Sequence, residues 1–162
     1  MTVVIEAFDN TAEAWPRFDR RALRDVADRL LLTPADLQRY PRFFRRSSLQ
    51  LAVDLAAEEL VEDIVEWLPR LSLVQLNFES FADGRPFTQA RLLRERFGFE
   101  GDIRACGDVQ RDQLAFMRRC GINQFDLADG EDSAQIKSVF DEISHSYQPI
   151  EFDQKVLCQD SA

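Results

Sequence analysis

The residues able to do chemistry crowd into one stretch of the chain. Asp83-Gly84-Arg85-Pro86-Phe87 reads as a turn running into a helix. The free N–H groups and the dipole at such a helix start favour an anion, and Arg85 can add a guanidinium to it. The plain alternative is a tight turn that needs Gly84 for its backbone, with Arg85 merely exposed. Arg91 and Arg94 lie one turn apart on the helix that follows, and Arg94 can equally pair with Glu95 or Glu100. Arg104 belongs to a strand and reaches a ligand only from the correct face. Arg111, Asp112 and Gln113 fall in a further helix, and Asp83, Asp108 and Asp112 are the acid/base candidates. No catalytic residue stands out. The set Asp83, Gly84, Arg85, Arg91, Arg94, Arg104, Asp108, Arg111, Asp112 and Gln113 is read as anion- or partner-binding.

Cys106-Gly107-Asp108 puts a thiol between a strand end and a helix start, where its pKa would fall. The sole histidine, His145, lies in the last expected helix, where packing or exposure explains it, so no Cys–His nucleophile pair is expected. Cys106, Cys120 and Cys158 match neither a zinc site nor a four-cysteine iron–sulfur site. Acidic pairs near the strand ends could take Mg²⁺, but nothing specifies it. The sequence contains no Gly-x-Gly-x-x-Gly, no phosphate-binding Gly-x-x-x-x-Gly-Lys and no Gly-x-Ser-x-Gly. No metal and no cofactor are therefore expected.

These residues must be positioned by alternating elements. Leu49–Leu55 reads as a strand, and Ala57, Leu60, Val61, Ile64, Val65 and Leu68 then recur at helical spacing up to Pro69. Leu71–Phe78 is a second strand, 87–97 a helix ended by Gly98, and Asp102–Cys106 a third strand. Asp108 is read as capping a helix through Cys120, with Gly121 at its C-terminal cap. Ile122–Leu127 is a fourth strand, and a helix at about 132–144 follows. The fold class is thus α/β: four βα units forming a parallel sheet, either half-barrel-like or open and doubly wound. In such folds ligands sit at the C-terminal ends of the strands. There the loops carry Asp54, then Asn77, Glu79 and Asp83–Arg85, then Cys106–Asp112, then Asp126 and Asp129.

Residues 1–46 read differently. Leu23, Val26, Ala27, Leu30 and Leu31 give Arg20–Leu32 one apolar helical face. Thr33-Pro34-Ala35-Asp36 looks like a helix start, with Pro at the first position and an acid at the third. The expected organisation is a helical N-terminal appendage over 1–46, a βα core over 47–148 and a loosely ordered tail over 149–162.

The chain has 162 residues and a net charge of −9. That balance argues against nucleic-acid or anionic-membrane binding, both of which need a basic surface. No apolar run approaches a membrane span and no signal peptide is apparent, so a cytoplasmic protein is expected. Eighteen of the twenty basic residues are arginines. Residues 85–119 carry +3, between blocks of −7 at 47–84 and at 120–162. An Arg-rich block flanked by acidic ones is either ordinary solvated helix surface or a local carboxylate or anion site.

The run from Asp83 through Gly98, followed by Gly101–Val109, Arg111–Leu114 and Met117–Gly121, is more specific than a generic helix. It resembles a bacterial family of domains of unknown function whose genes commonly lie beside that of sulfite reductase. Its members carry the label of probable oxidoreductase or accessory protein in sulfite reduction. The resemblance spans about 47–148 and closes on Ser146-Tyr147-Gln148, with Cys106 standing where a Val is usual. It implies a pathway, assimilatory sulfite reduction, but not a reaction. Two readings follow. One is a non-catalytic accessory protein presenting Arg91, Arg94, Arg111 and Arg118 to sulfite reductase or its electron donor. The other is a small-anion or phospho-ligand binder or enzyme, holding sulfite, sulfate or phosphate with Arg85, Arg104, Arg111 and the helix start at Phe87. A structural homo-oligomer is the third, plainest option.

Overall fold

A computed structural model describes residues 2–4, 15–19, 28–80 and 82–127. The expected helix at 132–144, His145, Cys158 and the tail lie outside the described residues. Among the described residues six strands form one sheet: β1 (Thr2–Val4), β2 (Arg29–Leu32), β3 (Gln50–Leu55), β4 (Leu71–Phe78), β5 (Asp102–Gly107) and β6 (Gln124–Asp126). Their order is β1-β6-β5-β4-β3-β2. From β2 to β6 every pairing is parallel, and β1 joins β6 antiparallel. The α/β class therefore holds, with five parallel strands.

The fifth parallel strand corrects the reading of the N-terminal segment. Arg29–Leu32, which the sequence pattern places at the end of an amphipathic helix, is β2, with Leu30 and Leu32 on one side and Leu31 on the other, all three leucines buried. A leucine run buried on both faces carries no periodicity to separate strand from helix. Two short helices, α1 (Pro34–Arg39) and α2 (Pro41–Arg46), connect β2 to β3, so 29–46 is a sheet-forming unit rather than an appendage. The start of α1 follows its sequence closely. Thr33 Oγ1 accepts from the Asp36 backbone N–H, and Asp36 accepts from the Thr33 N–H, closing a capping box worth about 1 kcal/mol.

The remaining connections are a 3₁₀ helix at Val61–Arg70, then α3 (Arg85–Arg91) continuing into a π-helical turn at Leu92–Arg96, then a 3₁₀ turn at Arg111–Gln113 leading into α4 (Leu114–Arg119). Pro69 sits inside the last turn of its helix instead of ending it. Asp108 does not cap α4: its backbone N–H extends from β5 to the Phe78 carbonyl, and the helical chain begins three residues later. Gly121 follows α4 at φ +94, as its capping role requires.

The strands follow one another across the sheet in chain order, with no reversal. A doubly wound sheet needs such a reversal. Crossovers of one hand then put the helices on one side. Leu37, Phe44, Ile64, Trp67, Leu93, Leu114 and Met117 from the helices join Leu51, Val53, Leu76, Phe78, Ile103 and Phe125 from the strands in one apolar core. The described strands therefore form a singly wound parallel sheet, not a doubly wound one. No described helix is long and apolar enough to cross a membrane.

Candidate functional site

Alternation along the strands sends one residue in two to the side opposite the helices. Near β2 that side is apolar, where Leu31, Ala52 and Leu73 pack under Trp15. Further across it turns polar. Asp54, Gln75, Arg104 and Gln124 are successive register partners on β3, β4, β5 and β6, and they form a row across four strands. Gln75 Nε2 donates to Asp54 Oδ1 at 3.0 Å, and Arg17 Nη2 reaches Asp54 Oδ2 at 2.6 Å. Arg104 donates through Nε and Nη2 to Gln124 Oε1 at 3.0 and 2.8 Å. Gln124 Nε2 passes on to Asp102 Oδ2 at 2.7 Å, and Asn123 Nδ2 holds the other oxygen at 2.8 Å. Arg104 and Gln124 are both buried.

Toward the C-terminal ends the next row contains Asn77 and Cys106, which are register partners, with Asp126 beyond on β6. The Cys106 thiol donates to the Leu76 carbonyl at 3.5 Å. Burial, reinforced by the negative charges of Asp54 and Asp126, pushes its pKa from 9.0 up to about 12. A thiol so placed stays protonated near neutral pH and is a poor nucleophile. The lowered pKa expected from its position is therefore corrected: the thiol lies against β4, where burial and the charges of Asp54 and Asp126 outweigh the opposing effect of Arg104 and Arg17.

The run from Asp83 to Gln113 does not converge on one point. After β4, Arg85 binds both Asp83 oxygens through Nε and Nη2, the shortest contact being 2.7 Å, and its backbone N–H adds a further bond at 3.0 Å. Each partner stabilises the other's charge: the Asp83 carboxyl is held below its ordinary pKa, and Arg85 is raised, with Glu58 and Glu79 adding to its acidic surroundings. Gly84 has an ordinary helical φ of −82, and a side chain there would meet nothing, so the turn does not require a glycine.

Arg91 pairs with Glu95 at 3.0 Å on the exposed side of the helix. With Thr88, Leu92 and Arg96 the pair lines a groove of about 250 Å³. Arg94 turns inward. It donates to the carbonyls of Gly121, Phe99 and Gly101 at 3.0, 2.5 and 2.7 Å, and so ties the helix to the starts of β5 and β6. This is the N-terminal edge of the sheet, opposite the end expected to hold ligand. Arg94 is a structural clamp, not a surface binder. Asp108 accepts from Gln110 Nε2 at 2.5 Å after β5, and Arg111, Asp112 and Gln113 form the adjoining 3₁₀ turn.

A family model for a bacterial protein of unknown function, DUF934, matches residues 52–157. The chain belongs to that family. No curated protein matches it. Within the DUF934 match lie β4 to β6, β3 from Ala52 on, and every member of the polar row. Arg17, β1 and β2 lie before it. Gln75 and Gln124 were not singled out from the sequence. The available signal was the polar residues that interrupt otherwise apolar strands at alternate positions: Gln75 and Asn77 on β4, Asp102 and Arg104 on β5, and Gln124 and Asp126 on β6. Parallel strands buried on both faces read as continuous apolar runs, so such interruptions mark a side with a different role.

Proposed function

We propose that the chain is a non-catalytic accessory protein that docks on a redox partner in assimilatory sulfite reduction, either sulfite reductase or that enzyme's electron donor. The pathway rests on the resemblance of the 83–121 run. The docking role rests on one observation: the arginines of that run do not converge on one site, for Arg94 is bound to main-chain carbonyls at the N-terminal edge of the sheet, Arg104 is buried with Gln124 on the side opposite the helices, and Arg91 is exposed. Arg91 on α3 and Arg119 on α4 are both exposed. Exposed charged side chains of this kind suit a charge-guided encounter with another protein.

The alternative is a small-anion site for sulfite, sulfate or phosphate at the strand C-terminal ends. There Arg85 would have to leave Asp83 first. The two readings separate in one pair of measurements. Docking is expected to give a complex with purified sulfite reductase or its donor that weakens about tenfold between low and physiological salt. Arg91→Glu combined with Arg119→Glu should abolish it while the fold is retained. An anion site would instead show thermal stabilisation by millimolar sulfite, sulfate or phosphate. Stabilisation without any complex would replace the first reading with the second.

A further inference from the structure

We propose that the face formed by α2 and the 3₁₀ helix at Val61–Arg70 is an interface between two copies of this chain, related by a two-fold axis along the seam between the two helices. This goes beyond the docking reading above, which uses α3 and α4, and does not depend on it. α2 turns one side to the core, where Phe44 is fully buried. At about 100° per residue, Arg42, Phe43, Arg45 and Arg46 make up the opposite side, and all four are exposed. The helix itself thus builds a basic face with an aromatic ring in it, and Phe44 backs that ring edge-on at 5.1 Å. The neighbouring 3₁₀ helix builds an acidic face. Its three-residue turn buries Val61, Ile64 and Trp67 in one row and leaves Asp63 and Glu66 exposed in another, with Leu60 just before it.

The two faces are held side by side. Arg45 Nη2 meets Glu66 at 2.7 Å, and the Arg45 guanidinium lies 5.2 Å from the centre of the Trp67 ring. Arg70 Nη2 donates to the Ser47 carbonyl at the end of α2, at 2.7 Å. These contacts occupy the seam. Arg42 and Arg46 on one side of it and Asp63 on the other have no ion-pair partner among the described residues. A partner of one charge, whether an acidic protein, a nucleic acid or an anionic membrane, gains at one half of this surface and is repelled at the other. A second copy turned about the seam meets both halves correctly. Its acidic row lies over α2, and its α2 lies over the acidic row, so every attraction is made twice. The same rotation encloses Phe43, 45% exposed, and Leu60, 62% exposed, from both copies.

The test is analytical ultracentrifugation of the full chain across protein and salt concentrations. The expected result is a monomer–dimer equilibrium that weakens as salt is raised. Arg42→Glu with Arg46→Glu should give a monomer, because α2 then repels the acidic row. Asp63→Lys with Glu66→Lys should give a monomer for the converse reason. The Arg45–Glu66 pair lost there is exposed on both sides, so the fold does not depend on it. Mixed in equal amounts, the two monomeric variants should pair with each other, and native mass spectrometry should find one chain of each. Arg91→Glu with Arg119→Glu should leave the dimer intact. If a double variant loses its fold by circular dichroism, Phe43→Ser takes its place and should weaken the dimer about tenfold at low and high salt alike. The interface is overturned by a parent chain that stays monomeric up to about 1 mM, or by growth beyond a dimer. It is also overturned by a dimer that the double variants or Phe43→Ser leave unchanged, by folded monomeric variants that do not pair when mixed, or by a different partner seated on α2 of a monomeric chain.

Discussion

Phe125 and Gln124 are neighbours on one strand and live in different environments. Phe125 enters the apolar core under the helices; Gln124 joins Arg104 and Asp102 on the other side of the sheet. Both side chains are buried. The helical side is held by area removed from water, which tolerates any well-packed shape. The polar side is held by directed bonds, each of which needs its own partner. One sheet therefore carries a side specified loosely, by volume, and a side specified tightly, by chemistry.

The sharpest way to break this contrast is to truncate the helical side. Phe125→Ala should cost about 3–5 kcal/mol, read as a fall in the denaturant midpoint. Gln124→Leu keeps the volume but removes the acceptor of two Arg104 bonds and a donor to Asp102. Its expected cost is about 1–3 kcal/mol. A neutral or stabilising outcome would mean that the polar row is kept for something other than stability. A cycle with Arg104→Met would then isolate the pair's own coupling.

The smallest effect concerns Cys106 and is best read as a rate. With its pKa pushed up to about 12, the folded thiol should react with iodoacetamide at pH 8 on the order of 10³ times more slowly than in the unfolded chain, followed on its own peptide. The pKa is raised in the fold, so the neutral thiol is the favoured form. Its contribution to stability is full below about pH 9 and is lost as pH rises toward 12. Fast alkylation of the folded protein would show that the polar side opens to solvent.

Four of the five parallel strands were legible as apolar runs between turn residues, and Thr33–Asp36 announced its helix start. The strand at Arg29–Leu32 was not, because Leu30 and Leu31 also complete the spacing set by Leu23, Val26 and Ala27. The candidate site was legible only as a collection of charges. Composition shows that Arg94 is basic. It cannot show that its guanidinium is taken up by the main chain of Phe99, Gly101 and Gly121, which only the completed fold brings within reach. Arg85 and Asp83 could pair because they are two residues apart, yet the pairing depends on the turn the chain adopts there. The polar row is a cross-strand pattern, and no window along the sequence contains it.

The chain-order sheet also has a temporal side. Each strand from β3 to β6 pairs with the strand synthesised just before it, so the sheet can grow as the chain is made, at small loop-closure cost. β1 is the exception: Thr2–Val4 are the first of these strand residues to be synthesised, and their partners Gln124–Asp126 follow roughly 120 residues later. Until then the free edge of the newest strand is the growing point of the sheet, and β1 can close that edge only after β6 has been added. The earliest of the described strands is thus the one that covers the edge of the latest.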